Sequence, residues 1–224
     1  YEKLTAVIEK FFWDEEKGAY IDSFTSGRRN VTRHANIFAI LFSIADEKQQ
    51  EKILKNVLEN DEIPAITTPY FNFFELDVLC RMGKLTEVLD KIRSYWGGML
   101  DFGAVTFWEE YDPSVPKEEQ YDMYGDHFGK SLCHAWAASP IYFLAKYFAG
   151  LDLVNKDGVT YILKPQMQYF TELDCTLPVG NNGVVRLVWD GEILEITPNA
   201  DGGILELGEQ KLSLVRGETR RVKI

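Results

Sequence analysis

The apolar pattern of the chain changes period near Gly150, and that switch constrains the fold more than any other feature. Before it, hydrophobic residues recur at three- and four-residue intervals, as in Leu4, Val7, Ile8, Phe11 and Phe12 or Val31, Ala35, Phe38, Phe42 and Ala45. That spacing places them on one face of a helix. After it, short runs rich in Val, Ile and Leu alternate with Pro, Gly, Asn and Asp. Val184 to Trp189, Asp190-Gly191, then Glu192 to Ile196 has the form of a β-hairpin. The chain is therefore expected to be two structural classes in series, a helical region over 1–152 and a small antiparallel β-sandwich over 153–224.

Six helices are expected in the first region. The first ends at Trp13–Gly18. The second runs from Asn30 to Ala45 and is apolar nearly all round, which requires packed neighbours on both sides. Asp46, with Gln49 three residues on, forms a capping box for the third. Thr68-Pro69 starts the fourth, over Tyr70–Met82, with proline at its first position. The fifth carries Leu85, Val88, Leu89 and Ile92 and stops before Gly97-Gly98. Asp112 to Gly129, with Pro113 and Pro116, is a long polar excursion of the kind that is usually functional. The sixth spans Ser131–Ala149, with Pro140 kinking or restarting it. In the tail, strands are expected at Val159–Leu163, Gln168–Leu173, Gly183–Trp189, Ile193–Ile196, Ile204–Leu207, Lys211–Leu214 and Thr219–Ile224. Pro178, Gly180-Asn181-Asn182-Gly183 and Gly202-Gly203 are expected to turn the chain. Successive antiparallel helix pairs of this kind build a solenoid or an (α/α) barrel, and the buried second helix favours the two-layer barrel.

Charge and composition exclude several functions. A net charge of −11 speaks against nucleic acid or an anionic membrane as partner. The longest apolar run, Ile37–Ala45, is far short of the ~18 residues of a membrane span. Cys80, Cys133 and Cys175 are odd in number, and Cys80 and Cys133 lie in helical patterns, so buried free thiols are expected. Cysteine and histidine show no metal-ligand spacing, and no cofactor is implied. The chain starts at Tyr1 without a signal segment and is expected to be the interior of a longer gene product.

Tyr95 to Asp112 is the least periodic part of the helical region. It holds three glycines, two tryptophans, two phenylalanines, two tyrosines and four carboxylates. Aromatic faces can take the C–H side of a sugar ring, and carboxylates can bind hydroxyls or move protons; the same residues could equally be core aromatics and solvated acids.

Arg33-His34-Ala35-Asn36, Thr68-Pro69-Tyr70-Phe71, Tyr95-Trp96-Gly97-Gly98-Met99-Leu100-Asp101, Thr106-Phe107-Trp108-Glu109-Glu110 and Ser131-Leu132-Cys133-His134-Ala135-Trp136, in this order, resemble the C-terminal part of bacterial α-L-rhamnosidases of glycoside hydrolase family 78. The resemblance covers the whole chain. It implies half of an (α/α)6 six-hairpin glycosidase barrel followed by a β-sandwich, and an inverting hydrolysis of terminal α-L-rhamnosides. Inversion needs two carboxyls about 6.5–9.5 Å apart, one protonating the leaving oxygen and one activating water. The resemblance makes Glu109 the general base and His134 a substrate-binding residue on the helix after the long loop. Trp108, Tyr70 and Phe71 are candidate walls for the sugar, with inner-barrel packing as the alternative, and Asp101 could bind a hydroxyl or tie down the loop. Adjacent extended residues point to opposite sides, so Glu110 is expected to face solvent or support the site. His34 is expected to be structural, and His127 is left without a role. In the tail, Trp189 and Tyr169 are expected in the core or at an interface.

The family's general acid lies in the first half of its barrel, and nothing here matches it. The expectation is a rhamnosidase fragment, inactive alone, whose partners are a rhamnose-containing oligosaccharide or glycoside and the N-terminal half of the barrel. The parent enzyme is expected to be periplasmic or extracellular. Two other classes use the same residues: a non-catalytic carbohydrate-binding or interaction module, and a lyase or epimerase on a related barrel. The acidic balance disfavours the last, because uronate substrates need a basic groove.

Overall fold

A computed structural model describes residues 1–155, 160–180 and 182–224. Val159, the expected start of a strand, and Asn181 of the expected turn lie outside the described residues. By its contacts the chain divides into two compact units, Tyr1–Ser139 and Pro140–Ile224.

The first unit begins with α1 (Glu2–Phe12), followed by a two-residue hairpin of β1 (Trp13–Asp14) and β2 (Ala19–Tyr20). Next come α2 (Arg33–Leu41), α3 (Glu47–Ile53) with a π-helical end Leu54–Leu58, and α4 (Pro69–Arg81). Last is α5 (Leu85–Lys91), continuous through the π-helical Ile92–Trp96 with α6 (Gly97–Asp101). The Asp46–Gln49 capping box is formed on α3, and Pro69 occupies the first turn of α4 behind Thr68. The second helix is shorter than its apolar run. Thr32 caps it by accepting from the Ala35 amide, and Ser43, at φ 52°, ends it.

Side-chain contacts give the helix directions. His34 meets Phe71 and Phe38 meets Phe74, so the contacts advance together and α2 and α4 run parallel. Tyr1 reaches the carbonyl of Phe42, whereas the Phe12 end of α1 meets Ile21 ahead of α2. α1 therefore runs antiparallel to α2. Lys91 pairs with Glu75 and Tyr95 reaches the Thr67 carbonyl, so α5 runs antiparallel to α4. This alternation is the helical-hairpin repeat that the spacing implies. Buried polar groups fix it. Asn36, fully buried, accepts from the Tyr20 amide at 2.8 Å and donates to the Tyr20 and Thr32 carbonyls. Asn72 ties the start of α4 to the carbonyls of Ile66 and Thr68.

Two further helix boundaries differ from the expectation. Gly97-Gly98 does not stop the fifth helix. A Cβ on Gly98 would lie 2.6 Å from the Tyr111 hydroxyl, so the glycine admits a packed ring and the helix continues to Asp101. The expected helix Ser131–Ala149 is not helical over its first residues. Residues 131–134 are irregular, with bends at Leu132 and Cys133 and an extended His134, Ala135–Ala137 is a single 3-10 turn, and α7 begins only at Ser139 (Ser139–Phe143, with a π-helical end Leu144–Phe148). Cys133 is consequently exposed, not buried, while Cys80 is buried. His34 also departs from expectation. It lies in the first turn of α2, not deep within it, and is exposed against the ring of Phe71.

The second unit has two four-stranded sheets. One has order β10 (Arg220–Lys223), β7 (Ile193–Pro198), β6 (Gly183–Trp189), β5 (Leu173–Val179), all antiparallel. The other has order β3 (Leu151–Leu153), β4 (Tyr161–Leu163), β8 (Gly203–Leu207), β9 (Gln210–Leu214) and contains one parallel pair, β4 with β8. Leu177, Val185, Leu187, Trp189, Leu194 and Ile196 of one sheet share a core with Tyr161, Leu163, Leu205 and Leu214 of the other. Trp189 is thus a core residue, and its Nε1–H donates to the Phe170 carbonyl at 3.0 Å. Pro178 does not turn the chain. It lies inside β5, an edge strand, where a missing N–H is tolerated. The strand expected at Gln168–Leu173 does not form: Gln168 and Tyr169 belong to the 3-10 turn Met167–Tyr169, and β5 starts only at Leu173.

Candidate active site

Two segments of the first unit lie side by side to form the site. The Glu109 amide donates to the Ser131 carbonyl at 2.9 Å, and the His134 amide donates to the Phe107 carbonyl at 2.8 Å. Thr106 closes the pairing with a hydroxyl bond to the Leu132 carbonyl. Residues 106–109 and 131–134 therefore run antiparallel. This pairing takes up the backbone of residues 131–134 and explains why they leave the helical pattern.

Glu109 is held at both carboxylate oxygens. Oε2 accepts the Ser131 amide at 3.0 Å, and Oε1 accepts the Tyr124 hydroxyl at 2.9 Å. The Ser131 bond is the main reason its carboxyl titrates below the usual range, with Tyr124, His134 and Lys130 acting in the same direction and partial burial opposing them. Hydrogen bonds to the charged form favour it, so Glu109 is an ionised acceptor at neutral pH.

Glu110 turns away, as its neighbouring position requires. Its Oε1 accepts the Thr67 hydroxyl at 2.8 Å and its Oε2 lies 3.8 Å from Lys130 Nζ. The Lys130 side chain is only 4% exposed. Burial pushes its ammonium below the ordinary lysine range, and Glu110, Asp112, Asp122 and Glu109 hold it up. Thr67 also accepts the Tyr111 amide and the Tyr95 hydroxyl through its carbonyl, so it joins the start of α4 to the segment bearing both acids.

Of the remaining sequence candidates, His134 and Tyr70 meet through a residue that sequence reasoning missed. Trp136 lies 5.2 Å from the Tyr70 ring and 5.6 Å from the His134 ring. Tyr70 and Trp136 are 43% and 68% exposed. Phe71 continues the row, edge-on to both Tyr70 and His34. Trp108, by contrast, is buried against Tyr121. Asp101 is exposed at the end of α6 and belongs with Tyr111, whose hydroxyl it helps burial to raise. His127 is exposed and pairs through Nδ1 with Asp122 at 2.6 Å. Tyr124, Lys130 and Ser131 were also missed. Ser131 acts through its amide, which no side-chain pattern reveals. Among the described residues no cluster of His, Cys, Asp and Glu could hold a metal, and no helix is long and apolar enough to cross a membrane.

The family model described as the bacterial alpha-L-rhamnosidase 6 hairpin glycosidase domain matches residues 1–148. The chain belongs to this family. Among solved structures it is similar to the GH78 family rhamnosidase of Bacillus sp. GL1, with 24% identity and a TM-score of 0.74 over 93% of this chain and 22% of that one. It is also similar to the α-L-rhamnosidase from Dictyoglumus thermophilum, with 20% identity and a TM-score of 0.63 over 93% of this chain and 23% of that one. The chain thus spans under a quarter of the length of either neighbour, and these likenesses bear on the fold. No curated protein matches it. Six-hairpin glycosidase helices followed by β-sheets are the architecture that the sequence resemblance implies, and glycoside hydrolysis is the family context of the site.

Proposed function

We propose that residues 1–224 are the C-terminal part of an inverting α-L-rhamnosidase and carry its general base, Glu109. One observation supports this above the others. In a chain of this family, Glu109 is kept ionised by an amide, a phenol and nearby positive charge, yet its carboxylate retains lone pairs for a further donor. A water bound there loses its proton to Glu109 as it attacks the anomeric carbon. The leaving oxygen takes a proton from an acid on the opposite face of the sugar. That acid is supplied from outside these residues, by the N-terminal half of the barrel, so the fragment alone is inactive.

His134, Tyr70 and Phe71 bind the terminal sugar of a rhamnose-containing glycoside in this reading, while Trp108, buried against Tyr121, packs the loop and Asp101 ties it down beside Tyr111. The functional division is placed near 152/153, within the strand β3 that opens the sandwich, the sandwich being structural. The exposed Tyr70–Trp136 pair also favours a second reading, a carbohydrate-binding module without chemistry.

Glu109→Gln in the complete polypeptide separates the two. The base reading expects turnover of an aryl α-L-rhamnoside to fall at least 10²-fold with sugar affinity nearly unchanged. Retained turnover refutes Glu109 as base. Hydrolysis by purified 1–224 at rates near a full-length relative refutes the missing acid.

A further inference from the structure

The tip of the 112–129 excursion holds a residue in an unfavourable conformation. The amides of Met123 and Asp126 donate to each other's carbonyls, both at 3.0 Å, so Tyr124 and Gly125 are the centre of a two-residue turn. Both have positive φ, +55° and +82°. Turns of this kind take Asn-Gly or Gly-Gly, and an aromatic residue in the left-handed region is strained. Burial does not compensate, because Tyr124 is 81% exposed. Among the described residues its one hydrogen bond is the donation to Glu109 Oε1 at 2.9 Å. The hairpin is folded tightly onto the segment that follows it, since a Cβ on Gly129 would lie 2.2 Å from the Met123 carbonyl oxygen. That same segment supplies the Ser131 amide to Glu109 Oε2. Residues 123–131 thus deliver both donors to one carboxylate.

We propose that Tyr124 is the positioning residue of the general base: its hydroxyl fixes the rotation of the Glu109 carboxylate and leaves the second lone pair of Oε1 for the attacking water. The proposal rests on Glu109 being the base. Strain held at a residue whose gain is a contact with a proposed catalytic group is the pattern expected of a functional constraint. The hydroxyl also helps to keep Glu109 ionised. The titratable groups that also face Glu109 are His134 and Lys130. Glu110 faces Tyr124, and Lys130 is in turn faced by Glu110, Asp112 and Asp122.

Two variants of the complete polypeptide test this. Tyr124→Phe removes the hydroxyl and keeps the strained turn; Tyr124→Gly removes the hydroxyl and relieves the turn. Both are expected to lower kcat/KM roughly tenfold, chiefly through kcat, and to move the acid limb of the pH profile upward. In the phenylalanine variant a carbon-13 titration of the Glu109 carboxyl should move upward as well. An unmoved acid limb in Tyr124→Phe, or a wild-type profile in Tyr124→Gly, overturns the proposal. Glu109→Gln distinguishes the two levels. If it still hydrolyses substrate, the base reading and this proposal fall together. If it is inactive while both Tyr124 variants behave as wild type, only the positioning role falls.

Discussion

Replacing Glu75 by alanine should lower the stability of the helical unit by about 3 kcal/mol. Glu75 lies on α4 with its side chain 3% exposed, and its Oε1 takes two cations: Arg33 from α2 at 3.0 Å, and Lys91 from α5. Its Oε2 is buried with no hydrogen-bond partner among the described residues. Removing the shared anion leaves a buried cation, Arg33, and a partly buried one, Lys91, facing each other. Removal of one partner from a buried ion pair costs about 3–5 kcal/mol. The low end applies for two reasons. Arg33 keeps its bonds to the Leu58 and Asn60 carbonyls at 2.9 and 3.4 Å, and Lys91, 21% exposed, can turn toward water. At about 2–4 °C per kcal/mol for a chain of this size, the melting temperature followed by the helical circular dichroism signal should fall by about 6–12 °C. Burial sets the Lys91 ammonium below the ordinary lysine range, and Glu75 opposes that shift. In the variant Lys91 therefore binds its proton less readily when folded than when unfolded. The variant's deficit should accordingly shrink as pH rises toward ~10.4, the unfolded lysine value. A loss below about 1 kcal/mol, as for a surface pair, or a deficit that grows with pH, would refute this account.

Other substitutions give separate readouts. Gly98→Ala forces a methyl against the buried Tyr111 ring; overpacking of about 1–3 kcal/mol outweighs the helix propensity gained, which denaturant unfolding can measure. Tyr161→Phe should be neutral or slightly stabilising in the sandwich unit, because the Tyr161 hydroxyl is buried without a partner among the described residues; a clear drop in the unfolding midpoint would reveal a bond that the structure lacks. Glu109 has a lowered folded pKa, so its contribution is present above the unfolded value of ~4.3 and lost as pH falls through the folded one. Wild type should therefore melt above Glu109→Gln at neutral pH, and the two curves should converge on acidification.

Periodicity by itself determined the succession of six helices and then strands, because burying one face of a helix or strand imposes its own repeat on the sequence. Local chemistry determined the Asp46–Gln49 cap and the Thr68-Pro69 start for the same reason: the groups involved are neighbours in the chain. The family was legible through the order and spacing of the motifs, and the family match over residues 1–148 agrees with it. Tertiary structure decided the rest. Gly97-Gly98 continues a helix because Tyr111, thirteen residues beyond Gly98, needs the space of a side chain. Ser131–His134 leaves the helical pattern because its backbone bonds to Phe107 and Glu109, partners that helical spacing cannot see. Pro178 stays in a strand because that strand is an edge. The surroundings of Glu109, an amide from Ser131 and a phenol from Tyr124, come from positions 22 and 15 residues away. Their chemistry exists only once the chain has brought them to one carboxylate.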